Sequence, residues 1–495
     1  MTETRMDTPQ PANVPPPVSA RRAEELTAWH ARMAAGFDKL ANRPQKWGAR
    51  CYQSWLKHYF SFHIPPGAKV LEVGCHQGDL LASLAPAVGV GVDISGAAIA
   101  QARQRHARPE LTFIAGAIEE VALPQGPFDY IILADTLAYL YDIEAVFQRL
   151  RPLCHPRTRI LISHHSHLWR PILRTAELLG LKQTQPRANW LAPGDVRNLL
   201  QLAGFDVVQR DQRILLPVSI PLVSTLLNRV CAPLWPWNHA CLVNLVVVRP
   251  VVAMPEATGV SVICACRNEA GNIAEICRRF PKFDGPAELI FVEGNSKDDT
   301  WGQCQQAQRD FPQLDITCYK QPGKGKGDAV RVGFAQAKYP VLMILDADMT
   351  VPPEDLPATA RALVQGRGEF INGSRFVYAM EARAMRFANM IANKFFGMAF
   401  TWLMSQPVKD TLCGTKVLLK SDWDRICANR AYFGEFDPFG DFDMLFGAAK
   451  LGLKIIDYPI RYRERVYGET NIQRWRHGVL LLGMCGVALR KLKMR

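Results

Sequence analysis

Ile344-Leu345-Asp346-Ala347-Asp348 closes an apolar run that begins at Pro340, and its two carboxylates flank a single small residue. Such a run reads as a buried strand, and the acids at its end sit where the strand spills into a loop. Oxygen ligands in that place suit a divalent cation held against a diphosphate. An isolated Asp-x-Asp is more often a solvated turn, so its weight depends on its neighbours.

The neighbours repeat the pattern. Ser261-Val262-Ile263-Cys264-Ala265-Cys266-Arg267-Asn268-Glu269 is a strand followed by a polar turn, and a helix is expected from Asn272 to Phe280. Glu288 to Thr300 again reads strand, acid (Glu293), turn, helix. Acids at the carboxyl ends of successive strands lie where open α/β sheets bind nucleotides. Lys324 and Lys326 in Gly323-Lys324-Gly325-Lys326-Gly327-Asp328 add positive charge on a glycine-rich turn, which suits a diphosphate.

Taken in order, these motifs resemble the family-2 glycosyltransferases of the GT-A fold over residues 260–472, with the polyprenyl-phosphate enzymes nearest. Asn372-Gly373-Ser374-Arg375, Asp410 to Lys416, Gly440-Asp441-Phe442-Asp443-Met444-Leu445 and Arg465 to Asn471 extend the match. The resemblance implies a nucleotide-sugar donor contacted by Glu269, Glu293, Lys326, Arg375 and Arg465. It implies Mg or Mn on Asp346 and Asp348, Asp441 as base or positioner with Asp443 in support, and inversion at the anomeric carbon. The acceptor would be a polyprenyl phosphate or a glycan. Three positions depart from the family pattern: Ala265 stands where proline is usual, Thr350 where a metal-assisting side chain is common, and Asn471 where a phosphate-binding lysine is common.

An independent α/β series precedes this one. Short β-branched runs at Lys69 to Val73, Val88 to Val92, Thr112 to Ile114, Tyr130 to Leu133 and Arg159 to Ile162 alternate with helical stretches, predicting a parallel sheet covered on both faces. The first run ends in Glu72-Val73-Gly74-Cys75-His76-Gln77-Gly78, a glycine loop opening a helix. Asp93 ends the next run, 21 residues after Glu72. Glycines let backbone approach a ligand, and an acid at that spacing can take ribose hydroxyls. This region resembles the class I S-adenosylmethionine-dependent methyltransferases. The resemblance implies a methionine cradle of Glu72, Gly74 and Gly78, with Asp93 on the ribose. His76 stands where a third glycine is usual, and Ala117 where an acid near the adenine is usual, with Glu119 or Glu120 as substitutes. Acceptor contacts are expected near Asp135, Tyr139 and the histidines His164, His165 and His167.

The 495 residues exceed one hydrophobic core, and the 48% apolar content is that of ordinary globular domains. The reading is therefore two doubly wound α/β domains. A disordered proline-rich leader spans 1–20, the methyltransferase-like domain 21–250, a linker 251–259, the glycosyltransferase domain 260–472, and a basic amphipathic helix 473–495. The helical pattern of Ala20 to His63 is expected to cap the first domain. The 13 cysteines form no C-x-x-C pair, so neither zinc nor disulfides are indicated. No apolar run approaches the ~20 residues that span a bilayer, and no secretory signal is seen, so a cytoplasmic location is expected. The net charge of +13 is concentrated after Arg461. Without interleaved aromatics or a nucleic-acid module, nucleic acid is excluded as the partner, and phosphates or anionic lipid are favoured. The apolar stretch Gly478 to Leu489 with its basic end is expected either to rest on the inner face of the cytoplasmic membrane as a peripheral contact or to pack on the second domain.

Overall fold

The computed structural model describes residues 20–186, 189–378, 387–433, 440–465, 467 and 474–494. The proposed leader and Asn471 lie outside them.

Fourteen strands form two sheets of seven. In the first, β1 (Lys69–Val73), β2 (Val88–Asp93), β3 (Leu111–Ala115), β4 (Phe128–Ala134), β5 (Cys154–His165), β6 (Phe205–Arg213) and β7 (Val243–Pro250) take the order β3-β2-β1-β4-β5-β7-β6. The second comprises β8 (Val260–Cys266), β9 (Ala287–Glu293), β10 (Asp315–Lys320), β11 (Val341–Asp346), β12 (Phe370–Ser374), β13 (Lys416–Leu419) and β14 (Ile455–Pro459), ordered β10-β9-β8-β11-β13-β12-β14. In each sheet the chain builds outward from a central parallel pair, β1 beside β4 and β8 beside β11, where the strand order first changes direction. Open α/β sheets bind ligands outside such a switch point.

All eight expected strands are present, each within a few residues of its expected ends. The sheets are mixed rather than parallel. β7 runs antiparallel between β5 and β6, and β13 antiparallel between β11 and β12. These late strands are short or interrupted by polar residues, as in Phe205-Asp206-Val207-Val208-Gln209, so they carry weak period-two signals. Residues 251–259, expected as the linker, follow directly on β7, which ends at Pro250.

Helices bury both faces of each sheet. Leu71 and Val73 join one core of the first domain while Val70 joins the other, as strand alternation requires. Two N-terminal helices, α1 (Ala20–Ala41) and α2 (Trp47–His63), close over the carboxyl edge of this sheet through Met33, Leu56, Tyr59 and Phe60.

The domains meet across a polar seam. Arg159 on β5 is 3% exposed; its Nη2 reaches both oxygens of Glu369 at 2.8 and 2.9 Å, and its Nε donates to the Gly452 carbonyl at 2.7 Å. Arg249 donates to Gly366, and Gln209 to Ala449. Buried charges and amides that satisfy one another across a boundary hold it in register.

The C-terminal helix Arg474–Ala488 packs on the second domain, burying Leu481, Met484, Ala488 and the following Leu492. At its basic end Arg490 is exposed, while the other described basic residues are engaged by the protein. Lys493 is buried, bonded to Asp211 at 3.2 Å and Ser405 at 2.6 Å, and Lys491 sits over the Tyr432 ring. Among the described residues, no helix is long and apolar enough to cross a membrane.

Candidate active sites

At the first switch point, a cavity of about 1070 Å³ is lined by Glu72, Gly74, His76, Asp93, Ala117 and Glu119, and walled by α1 and α2. Glu72 is 2% exposed and accepts the Leu81 N–H at 3.0 Å. Burial outweighs that bond and pushes its carboxyl up to about 8. Asp93 accepts the His76 N–H at 2.7 Å on one oxygen and the Ser95 N–H at 2.8 Å on the other. Burial raises this carboxyl too, with the two backbone donors opposing.

The loop between these acids turns through left-handed backbone at Gly74, His76 and Gly78. At Gly74 a Cβ would collide with Thr136, whose hydroxyl donates to the Val73 carbonyl at 2.8 Å, so glycine is required there. His76 holds φ +46°, the geometry of the glycine it replaces, and stores strain beside the ligand space. Ala117 supplies no acid. Glu119 is held by the Tyr141 N–H at 3.2 Å and faces His30 of α1 at 3.4 Å.

The far side of the cavity holds the expected acceptor residues Asp135, Tyr139, His164 and His165, joined by Tyr52, which the sequence did not mark. Asp135, at φ +56°, accepts the Tyr52 hydroxyl at 2.6 Å and the Ser163 hydroxyl at 2.8 Å, with His165 Nε2 at 3.8 Å. Burial, then Asp135, raises the Tyr52 phenol well above its ordinary range. Tyr139 lines the same space. His167 is exposed and stands outside it, against Trp190. Tyr52 comes from α2, in whose sequence it is one of several aromatics and nothing singles it out.

At the second switch point, Asp346 ends β11 and Asp348 follows, each held by a cation. Lys326 Nζ lies 2.6 Å from Asp346, and Arg465 Nη2 lies 2.6 Å from Asp348 while its Nη1 reaches Glu269 at 3.4 Å. Burial would raise the Asp346 carboxyl, but Lys326, with Lys416 and Arg375 further off, holds it below the usual range. Thr350 donates through both its N–H and its hydroxyl to Asp348, at 3.1 and 2.8 Å. The residue that departs from the family pattern thus orients the second carboxylate. Glu269, also bonded by Asn272, is pushed by burial up to about 7 despite Arg465. Glu293 ends β9 and is 4% exposed.

Two further expected residues are held in ion pairs. Arg375 is buried in a bidentate pair with Asp410, Nε to Oδ2 at 2.7 Å and Nη2 to Oδ1 at 2.8 Å, with its guanidinium over Tyr462. It ties Asp410 to the end of β12 and lies near enough to Asp346 to help hold that carboxyl ionised. Asp443 faces Arg430 at 3.2 Å. Asp441 opens the helix Asp441–Lys450, and its side chain lies outside the described residues. Gly440, at φ +77°, brings that helix start against Gly327, where a Cβ would meet the Gly327 backbone. Two glycines therefore bring the Asp441 turn beside Lys326.

Two carboxylates fit a hard divalent cation that completes its shell from phosphate oxygens, the usual arrangement for magnesium. A Cβ at Gly414 would overlap both Asp346 and Lys326, so the small residue keeps that approach open. Among the described residues, no group of three or more His, Cys, Asp or Glu side chains gathers to hold a metal without a ligand's help. The first cavity fits a nucleoside methyl donor on its two buried acids and backbone loop, with room beside Asp135 for an acceptor.

Sheet order and site together define two ligand-binding α/β domains of transferase type, and sequence comparison names their families. Residues 64–204 match the family model of a methyltransferase domain, and residues 261–427 that of glycosyl transferase family 2. The chain is thus a family-2 glycosyl transferase domain fused to a methyltransferase domain. Among its relatives, a dolichol-phosphate mannosyltransferase of Pyrococcus furiosus is 27% identical over 225 residues, 43% of this chain and 59% of that protein. A dolichyl-phosphate hexose transferase of Haloferax volcanii is 25% identical over 45% of this chain and 90% of its own length. Nocamycin O-methyltransferase of Saccharothrix syringae is 27% identical over 43% of this chain and 84% of its own.

Proposed function

We propose that the second domain transfers a sugar from a nucleotide-sugar donor to a polyprenyl phosphate or a glycan, with inversion, and that the first methylates a hydroxyl using S-adenosylmethionine. The observation that carries the sugar-transfer reading is the pair Asp346 and Asp348 at the switch point, each in contact with a mobile-headed cation. A diphosphate entering there offers Lys326 and Arg465 a more highly charged partner, and their transfer to phosphate oxygens frees the two carboxylates. Mg or Mn bound by those carboxylates would offset charge on the departing nucleotide diphosphate. Glu269 and Glu293 stand at the ends of β8 and β9 to receive base and ribose hydroxyls. The acceptor oxygen attacks the anomeric carbon as the bond to the diphosphate breaks, with Asp441 taking its proton or, for an ionised phosphate, positioning it.

In the first domain, Asp93 takes the ribose hydroxyls and the Glu72–Gly78 loop the methionine end. Asp135 holds Tyr52 and Ser163 and faces His165, which is placed to take the acceptor proton as the new O–CH3 bond forms and the S–CH3 bond breaks. A peripheral membrane contact is supported by the helix Phe387–Met404, where Ile391, Phe395 and Met398 are exposed on one face, and by exposed Val479 and Leu482 on the C-terminal helix. The division between the domains falls at 251–259.

The deciding experiment incubates purified protein with Mn and a panel of nucleotide sugars, with and without a polyprenyl phosphate, and measures nucleotide diphosphate release. Lipid-dependent release supports the lipid acceptor. Release only with glycan acceptors moves the assignment to polysaccharide assembly, and no release under any condition refutes sugar transfer.

A further inference from the structure

A second cavity, of about 450 Å³, lies between the domains and shares His164 with the far side of the first cavity. One wall is the β5-β7-β6 face of the first sheet. The other is the end of the helix Phe387–Met404 with residues 405–407 and Lys493. Register explains the chemistry of the first wall. His164 pairs with Asn244, which pairs with Gln212, and residues so paired share one face. The adjacent row is Ile162, Val246 and Arg210, and further along the face Ile160 and Val248 pack in the apolar core with Val196 and Leu200. A row of polar residues therefore crosses an otherwise apolar face where it meets the second domain.

His164, which is 6% exposed, and Asn238 line this cavity, and both ring nitrogens of His164 and Oδ1 of Asn238 are buried without a hydrogen-bond partner. Arg197 and Arg210 stand at its rim. Both are exposed and line the same cavity, and among the described residues neither has a carboxylate within ion-pair distance. Asp211 also lines the cavity, but it is engaged by Arg213 at 2.7 Å and Lys493 at 3.2 Å. Unpaired buried polar atoms and neighbouring like charges are each unfavourable, and a single anionic ligand relieves both.

We propose that this interdomain cavity binds a small phosphate-bearing molecule, its phosphate between Arg197 and Arg210 and its uncharged part against His164, Asn238 and Trp402. Planar guanidiniums match phosphate oxygens bidentately, and the volume falls within the roughly 300–1,000 Å³ typical of small-molecule sites. Because both domains build the walls, a ligand there favours the docked arrangement of the two. The site is independent of the sugar-transfer reading.

Crystals of the full chain soaked in tungstate, a phosphate stand-in, should show anomalous density between Arg197 and Arg210. Calorimetry with glucose 1-phosphate and with a short-chain polyprenyl phosphate then tests a soluble against a lipid-borne source. Binding of either that weakens about tenfold in Arg197→Gln or Arg210→Gln, and further in the double variant, supports the site. Both arginines are exposed, so these variants should melt with the wild type. Tungstate found only beside Lys326, ordered water alone in the cavity, or affinities unchanged in the double variant would each overturn the proposal.

Discussion

The two switch points treat their carboxylates in opposite ways. In the first cavity no cation among the described residues pairs with Glu72 or Asp93, burial dominates, and both resist ionisation. In the second, Asp346 and Asp348 are each clasped by a basic side chain, and Asp346 is held ionised against its burial. The difference matches the ligands proposed. Acids kept poor in charge suit hydrogen bonds to hydroxyl and amino groups, whereas ion pairs suit a polyanion that can exchange with one partner of each pair. One fold plan thus serves two chemistries through the cations placed near its strand ends.

That contrast can be broken most sharply at Asp348. Asp348→Ala should reduce sugar transfer by on the order of a thousandfold, the scale of losing several kcal/mol of charge stabilisation. Binding of S-adenosylmethionine by calorimetry should stay unchanged, and an undiminished transfer rate would refute the metal assignment. The reciprocal variant, Asp93→Ala, should weaken methyl-donor binding about a hundredfold through loss of a bidentate acceptor, and leave nucleotide diphosphate release intact.

Next in size is the seam that joins the two regions. Arg159→Ala leaves Glu369 without its cation and the Gly452 carbonyl without its donor, a loss of about 3–5 kcal/mol for a buried pair broken on one side. Calorimetric scans should then show the single transition shift downward or separate into two. A superimposable scan would mean that Arg159 does not couple the domains.

The pH dependence of the first cavity gives a finer test. The folded-state value of about 8 for Glu72 lies above the ordinary carboxylate value, so between about pH 5 and 8 the folded chain holds a proton that the unfolded chain releases. Stability should therefore fall as pH rises through that window, by about 1.4 kcal/mol for each unit of the shift. Glu72→Gln should flatten this part of the urea-midpoint profile, and parallel profiles for the two proteins would assign the dependence elsewhere. The smallest expected effect is at the membrane face. Phe395→Asp should lower co-flotation with anionic vesicles a few-fold without altering transfer to a water-soluble acceptor analogue.

The chain order of apolar runs and acids was enough to read two α/β sheets and to put Glu72, Asp93, Asp346 and Asp348 at strand ends, while the strand order and its switch points came from the fold. Those features are local: a strand and the turn after it are encoded within about ten adjacent residues. The antiparallel strands were less legible, because β6, β7, β12 and β13 depend on pairing partners remote in the chain. Five of the nine non-glycine residues in left-handed backbone, His76, Asp135, Asn268, Asn295 and Met349, lie in turns at these sites, and only the fold shows which residues bear that strain.

By itself the sequence determined that there are two α/β domains and which acids end their strands, since periodicity and spacing are properties of neighbouring residues. Only the tertiary structure decided that Tyr52 of an N-terminal helix reaches Asp135, that Lys326 and Arg465 clasp the two aspartates, and that Arg375 is committed to Asp410. It alone set His164 in a cavity shared by the two domains. Each of these contacts joins residues from 20 to 117 positions apart, or from different domains. Their energies depend on burial and on facing charge, which exist only once the chain has closed on itself.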